Sequence, residues 1–170
     1  LLKADKDDAM LVYAQGTLAG NYMVKANYTF AINLYQDALE GYKKLNRWQN
    51  YYLTLINLSD CLLQTNKPNL VVQKLSEVMP QLEKEGNELI LMYAKWKLAE
   101  AEALKNNYQQ SAVYFEQAHL MAIQYKNDRA TNITAKAIKV LRKLDNFNKI
   151  KHFIQRLDAS ELISLANVKD

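Results

Sequence analysis

The side chains that could carry out nucleophilic or metal chemistry are few and scattered in this sequence. The chain of 170 residues contains two histidines, His119 and His152, and one cysteine, Cys61. No cysteine or second histidine stands near either histidine at the spacing that metal sites use. Cys61 lies among leucines in a helical pattern, so we expect a buried structural thiol rather than a nucleophile.

Paired carboxylates, which could act as an acid and a base, are represented by Glu100 and Glu102. Two residues apart on a helix, they point to different faces and form a poor pair. The sequence also has no Gly-rich phosphate loop and no G-x-S-x-G motif. It therefore predicts a binding protein rather than an enzyme, with no cofactor and no metal.

Composition indicates a helical protein with short connections. There are only four glycines and two prolines, whereas asparagine occurs sixteen times, and some of these asparagines are expected to mark turns. No stretch approaches the roughly 20 apolar residues of a membrane span, and Leu1–Asp8 does not resemble a signal peptide. A single cysteine suits a reducing compartment. We therefore expect a cytoplasmic protein without membrane contact.

One residue pattern recurs four times, at spacings of 40, 40 and 39 residues. Small and aromatic residues alternate in it on both sides of a polar step, as in two helices that pack closely. The aligned sets are Leu18, Leu58, Leu98 and Ala137; Tyr22, Leu62, Glu102 and Leu141; Ala31, Val71, Ser111 and Ile150; and Tyr35, Leu75, Phe115 and Ile154. Such units bury their apolar faces by stacking, which predicts a repeat protein.

Each unit divides into two helical patterns, so the sequence predicts eight helices and a short ninth. Pro68 suits a first helical turn, and Gly86 suits a helix C-cap. Asp158–Ser160 would cap the ninth helix, which ends near Ala166. The predicted helices are 8–25, 28–45, 48–65, 68–85, 88–105, 108–126, 130–144 and 147–157. The predicted domain is 8–158, with repeats at 8–46, 48–86, 88–127 and 130–158, followed by a capping helix and tail at 159–170.

These motifs resemble the tetratricopeptide repeat (TPR), in which Leu-Gly-x-x-Tyr on one helix meets Ala-x-x-x-Tyr/Phe-x-x-Ala on the next. The first unit has Leu18-Ala19-x-x-Tyr22, then Ala31-x-x-x-Tyr35-x-x-Ala38. The resemblance implies an all-α solenoid, a right-handed superhelix of four hairpins. The long period is similar to that of bacterial regulators with TPR-like sensor domains, such as the cytoplasmic peptide-pheromone receptors (the Rgg, PlcR and Rap group).

A TPR stack implies a concave groove lined by the first helix of each hairpin. Amides there can bond a peptide backbone, aromatic rings can hold apolar side chains, and lysines can take a carboxylate. By their position in the repeat, Asn57 and Asn132 correspond to the groove asparagines of the pheromone receptors. The inward positions are Tyr13, Thr17, Asn57, Asp60, Gln64, Tyr93, Trp96, Lys97, Glu100, Asn132, Lys136 and Lys139. The alternative is that these are ordinary solvated residues, and that Tyr93 and Trp96 belong to the core.

Positive charge is concentrated in one segment, because residues 129–156 carry eight basic and one acidic side chain. A basic face can bind nucleic acid, but aromatic residues for base stacking are few, so we expect no direct nucleic-acid binding. An acidic protein or peptide is the preferred partner. The basic residues include Lys136, Lys139, Arg142, Lys143, Lys149, Lys151 and Arg156.

Together these features predict a domain that binds a short linear peptide or protein segment. The resemblance implies the ligand-sensing part of a cytoplasmic bacterial transcriptional regulator, whose DNA-binding part would precede Leu1, and a homodimer is compatible with it. The alternative is a constitutive TPR scaffold that mediates protein–protein assembly without switching.

Overall fold

The computed structural model describes the backbone of residues 2–143 and the side chains of residues 7–141. Within these limits the chain forms seven α-helices and no strand, which confirms the all-α prediction for this part. None of these helices is both long and apolar enough to cross a membrane. The helices are α1 (Leu2–Val24), α2 (Tyr28–Lys44), α3 (Trp48–Gln64), α4 (Pro68–Glu85), α5 (Glu88–Leu104), α6 (Tyr108–Gln124) and α7 (Asp128–Lys143). The predicted helices at 147–157 and after Asp158 lie outside the described residues.

The predicted helix boundaries agree with the structure within about two residues, except at the start of α1. Helix α1 begins at Leu2 rather than residue 8, so the charged residues at the start of the chain are helical. Helix α7 begins at Asp128 rather than residue 130, because the Asn127 Oδ1 accepts the Ala130 N–H at 3.0 Å and caps the helix there.

The six connections between the helices repeat one backbone feature. Each contains one residue with positive φ, and these residues are spaced by 20. At the first connection the Ala26 N–H bonds to Met23 O and the Asn27 N–H bonds to Tyr22 O, both at 2.9 Å. This Schellman arrangement satisfies the last carbonyls of α1 and reverses the chain directly into α2. The positive-φ residues are Ala26, Asn46, Asn66, Gly86, Asn106 and Lys126.

The turn geometry explains many of the asparagines. Asparagine tolerates positive φ better than most residues, and its short amide suits helix N-caps. Three of the positive-φ residues are asparagine. Four N-cap positions are asparagine as well, and at two of them, Asn87 and Asn127, the side-chain oxygen accepts an N–H of the first turn. Gly86, at φ 67°, is the predicted C-cap of α4, and Pro68 stands in the first turn of that helix as predicted.

The chain forms two compact units that divide between Thr65 and Asn66. In the first unit α1 packs against α2 and α2 against α3, and α1 also meets α3. In the second unit each helix from α4 to α7 packs against the next one in the chain. The predicted repeat 48–86 is thus shared between the units, with α3 in the first and α4 in the second.

Burial follows the sequence repeat. Ala31, Val71 and Ser111 are all fully buried, and the aromatic or leucine side chains four residues later are at most 2% exposed. The first unit contains a core cluster of Val12, Ala38 and Tyr42, with Leu45 and Tyr51 packed against it. In the second unit Ser111 donates a hydrogen bond of 2.8 Å to the Ala99 carbonyl, linking α6 to α5.

Candidate peptide-binding surface

Four of the predicted binding residues lie on one face of α5. The spacing i, i+3, i+4 and i+7 places four residues on one side of the helix over two turns: Tyr93, Trp96, Lys97 and Glu100. Their side chains therefore stack along the helix within reach of one another. The same spacing could be read from the sequence, but the contacts within the group could not.

The four side chains form one connected network. The Trp96 Nε1–H donates a 2.7 Å hydrogen bond to Glu100 Oε1, and Lys97 Nζ lies 3.0 Å from Glu100 Oε2. Lys97 Nζ also sits 5.2 Å from the centroid of the Trp96 ring. The Tyr93 ring stacks on Trp96 with 6.1 Å between centroids and an interplanar angle of 18°. These contacts hold the aromatic pair and the ion pair in one arrangement.

Burial determines what this network can offer a ligand. Glu100 is 4% exposed, so its carboxylate depends on the indole N–H and the Lys97 ammonium for the interactions that water would otherwise supply. Trp96 is 8% exposed and contributes mostly to the interior. Tyr93 is half-buried, so its ring presents the more accessible aromatic surface. An apolar side chain of a ligand would contact Tyr93 first.

In the first unit the predicted residues are more open to solvent. Tyr13 is 66% exposed, and Thr17 is exposed while donating to the Tyr13 carbonyl at 3.0 Å. On α3, Asn57 is exposed, and Asp60 and Gln64 are half-buried at i+3 and i+7 from it. The Asn57 amide therefore has room to donate to a carbonyl and accept from an N–H of a peptide backbone.

The remaining predicted residues lie on α7. Asn132, Lys136 and Lys139 stand at i, i+4 and i+7 and so share one face of that helix. Asn132 and Lys139 are exposed, and Lys136 is half-buried. The twelve predicted residues come from both compact units, and the structure joins the four on α5 by direct side-chain contacts. A single groove that contains all twelve stays a prediction.

The cysteine and the histidine that were considered for chemistry pack or hydrogen-bond within the helices. Cys61 is fully buried, and burial raises the pKa of its thiol to about 12, so the thiol is protonated at neutral pH. The predicted buried thiol is therefore confirmed. His119 Nδ1 lies 2.9 Å from Thr134 Oγ1, and that hydroxyl donates to the Ala130 carbonyl. Among the described residues, no three histidine, cysteine or acidic side chains are grouped so that they could hold a metal.

Glu100 and Glu102 have separate partners, as their spacing predicts. Glu102 is 6% exposed and lies 3.0 Å from Lys105 Nζ, and its second oxygen accepts a 2.6 Å hydrogen bond from Asn107 Nδ2. This carboxylate therefore holds the turn between α5 and α6, whereas Glu100 serves the aromatic network. The turn explains why a glutamate, Glu102, occupies the repeat position that is apolar or aromatic in the other three units.

Two clefts involve residues that the sequence analysis did not select. One, of about 430 Å³, lies in the first unit beside Tyr13 and includes Tyr42, Arg47 and Asn50. The other, of about 930 Å³, lies between α6 and α7. It contains a run of amides around Tyr108, a signal that was visible in the sequence as Asn-Asn-Tyr-Gln-Gln. Its lining residues are Asn106, Asn107, Tyr108, Gln109, Gln110, Ala112, Val113, Glu116, Ile138 and Leu141.

Comparison with known proteins yields no relative for this chain. It matches no protein-family model, no curated protein and no solved structure. The likeness to tetratricopeptide repeats accordingly depends on the residues and motifs of the chain itself.

Proposed function

We propose that this chain is a TPR-like binding module that takes a short linear peptide or protein segment on the first helix of its hairpins. The observation that carries the proposal is the network on α5, where Tyr93 and Trp96 stack beside the Lys97–Glu100 ion pair. Pre-arranged aromatic and polar side chains reduce the entropy lost when a ligand binds. The 40-residue register and the buried small residues support the solenoid architecture.

The proposal is binding rather than catalysis, without a cofactor. The side chain that could most readily act as a nucleophile, Cys61, is buried in its protonated form. In its sharper form the proposal is the ligand-sensing part of a cytoplasmic bacterial transcriptional regulator. A bound peptide would then favour one of two arrangements of the repeats or of a homodimer. This sharper form is supported by the resemblance to the pheromone receptors.

A thermal-shift screen against pooled short peptides tests the binding function. Parent protein and Asn57→Ala are compared, with Asn33→Ala as the control, because both asparagines are exposed in the first unit but only Asn57 lies on a first helix. We expect a peptide that raises the melting temperature of the parent and of Asn33→Ala by several degrees. The same peptide should have little effect on Asn57→Ala.

A second variant pair addresses the network on α5. Tyr93 and Tyr114 are both half-buried tyrosines of the second unit, but Tyr114 lies on α6, a second helix. Tyr93→Ala should weaken binding of the selected peptide about tenfold, as expected for loss of one aromatic contact. Tyr114→Ala should leave the affinity unchanged. A screen in which no peptide shifts the parent, or equal losses in both variants, would contradict a first-helix binding surface.

A constitutive scaffold for protein assembly is the second candidate. Exposed apolar side chains on the described helices, such as Leu120 at 66% and Ile123 at 51%, favour a broad protein interface rather than a groove. The two functions predict different additional domains in the whole protein, since a sensor requires an effector domain. A helix-turn-helix encoded upstream of Leu1 would support the sensor, and a different domain there would support the scaffold.

A further inference from the structure

Three basic residues of α7, unlike the lysines of α5, have no acidic partner among the described residues. Arg129 and Lys139 are exposed, Lys136 is half-buried, and none of the three takes part in an ion pair among the described residues. The lysines of α5, by contrast, are paired: Lys95 lies 3.5 Å from Glu83, and Lys97 lies 3.0 Å from Glu100. Positive charge is therefore neutralised on α5 and left open on α7.

The repeat register makes this difference specific. Leu98 of α5 aligns with Ala137 of α7, and both are buried. In this register Lys97 is equivalent to Lys136, and Glu100 is equivalent to Lys139. The ion pair Lys97–Glu100 thus corresponds to Lys136 and Lys139, two like charges at i, i+3. Adjacent like charges destabilise a helix slightly. An anion bound between these lysines would relieve that repulsion.

The open charges form a stripe of defined length. Arg129, Asn132, Lys136 and Lys139 stand at i, i+3, i+7 and i+10, along one side of α7. At a rise of about 1.5 Å per residue the stripe is roughly 15 Å long. About five residues of an extended peptide cover that length. The exposed Asn132 amide lies between the cations, where it can bond a peptide backbone.

We propose that the α7 stripe, formed by Arg129, Asn132, Lys136 and Lys139, recognises an acidic segment of the bound peptide or protein. The inference rests on the proposed function and adds the chemical class of its ligand. The sequence of α7 contains five basic residues and one acidic residue, so its charge attracts an acidic ligand over a longer range. The partner is thus a peptide with several carboxylates within a stretch of about five residues.

A peptide fits this stripe better than a nucleic acid. Single-stranded nucleic acids are held by aromatic rings on which bases stack, as well as by cations. Helix α7 contains no aromatic residue. Trp96, on α5, is 8% exposed and already stacked on Tyr93, which leaves little of its face for a base. The stripe therefore offers charge and an amide, which suit carboxylates and a peptide backbone.

Fluorescence anisotropy with three labelled probes tests this inference. The probes are a ten-residue peptide of alternating glutamate and leucine, its twin with glutamine for glutamate, and a ten-nucleotide oligouridylate. At 50 mM salt we expect the acidic peptide to bind at least tenfold more tightly than the glutamine twin and than the oligouridylate. Its dissociation constant should rise steeply with salt, because opposite charges are being paired.

Charge variants locate the site. The double variant Lys136→Glu, Lys139→Glu should weaken binding of the acidic peptide at least tenfold. The control Lys67→Glu, Lys84→Glu makes the same change in net charge at exposed lysines near the two ends of α4, and it should change binding less than twofold. The milder pair Lys136→Gln, Lys139→Gln removes the repulsion without adding charge. It should fold as well as the parent and still lose affinity.

The outcomes separate this inference from the proposed function. Equal binding of the acidic peptide and its glutamine twin would overturn the acidic preference while keeping a peptide-binding surface. Stronger binding of the oligouridylate, lost in the Lys136 and Lys139 variants, would overturn it in favour of a phosphate site. Equal losses in the α4 control would show non-specific charge attraction and overturn it as well. Failure of both peptides to bind the parent would overturn the inference, while the pooled-peptide screen would still decide peptide binding itself.

Discussion

The indole N–H of Trp96 donates a 2.7 Å hydrogen bond to the carboxylate of Glu100, one helical turn further along α5. Both residues are buried, and Glu100 also pairs with Lys97 at 3.0 Å. The carboxylate thus connects an aromatic pair to a cation at the surface proposed for ligand binding. Its removal would leave buried polar groups without this acceptor.

We therefore expect Glu100→Ala to lower the free energy of unfolding by about 3 kcal/mol, the usual cost of breaking a buried ion pair from one side. Glu100→Gln keeps an acceptor for the indole and should cost about half as much. Urea unfolding measured by tryptophan fluorescence, in a Trp48→Phe background so that Trp96 alone reports, gives both values. Parent-like stability of Glu100→Ala would show that the network contributes nothing to folding.

Two glycines of the first unit should respond to alanine in opposite directions. A methyl group at Gly41 of α2 would overlap the Val12 side chain of α1, whereas at Gly20 of α1 the nearest atom is the Tyr35 hydroxyl at 3.6 Å. Gly41→Ala should lower the free energy of unfolding by about 1–3 kcal/mol through overpacking. Gly20→Ala should raise it by up to about 1 kcal/mol through helix propensity. Thermal or urea unfolding compares the two, and equal effects would contradict the close α1–α2 packing.

The repeated positive-φ turn predicts a stabilising glycine. Ala26 has φ 57°, a conformation that costs an L-residue about 1 kcal/mol and glycine almost nothing. Ala26→Gly should therefore raise the free energy of unfolding by about 1 kcal/mol. The matched change Ala14→Gly, at an exposed position inside α1, should lower it by about 1 kcal/mol. A loss of stability in Ala26→Gly would mean that the turn does not adopt this geometry.

Stability should fall at alkaline pH because of two buried acids. Burial raises the pKa of Cys61 from 9.0 to about 12 and that of Tyr35 from 10.0 to about 12. Above pH 9 the unfolded chain releases a proton that the folded thiol keeps. The contribution of the thiol to stability is thus complete below pH 9 and is lost as the pH rises toward 12.

Urea unfolding at pH 8 and at pH 10.5 measures this effect. The parent should lose more stability between these values than Cys61→Ala does, and Tyr35→Phe should remove the part of the loss that begins near pH 10. The difference between pH 8 and pH 10.5 is the quantity to compare, because each substitution also changes packing. The same loss in all three proteins would show that neither acid is protected by the fold.

The helices and the repeat could be read from the sequence because both depend on local spacing. Apolar residues at helical intervals and polar steps between them gave helix positions from Tyr28 to Gln124 within about two residues. The start of α1 was missed, since charged residues at an N-terminus are compatible with a helix or a loop. Helix α7 begins two residues before its predicted start, where Asn127 caps it. The resemblance to tetratricopeptide repeats likewise arose from local motifs.

The sequence by itself determined the all-α class of the described residues, the 40-residue register and the buried state of Cys61. Only the tertiary structure decided the partners of Glu100 and Glu102, the close approach of Gly41 to Val12 and the division of the chain after Thr65. The physical reason is that periodicity fixes which face of a helix is apolar. Contacts between side chains depend on the distance between the helices and on the rotation of each helix about its axis. Sequences with the same periodicity can differ in that distance and in that rotation.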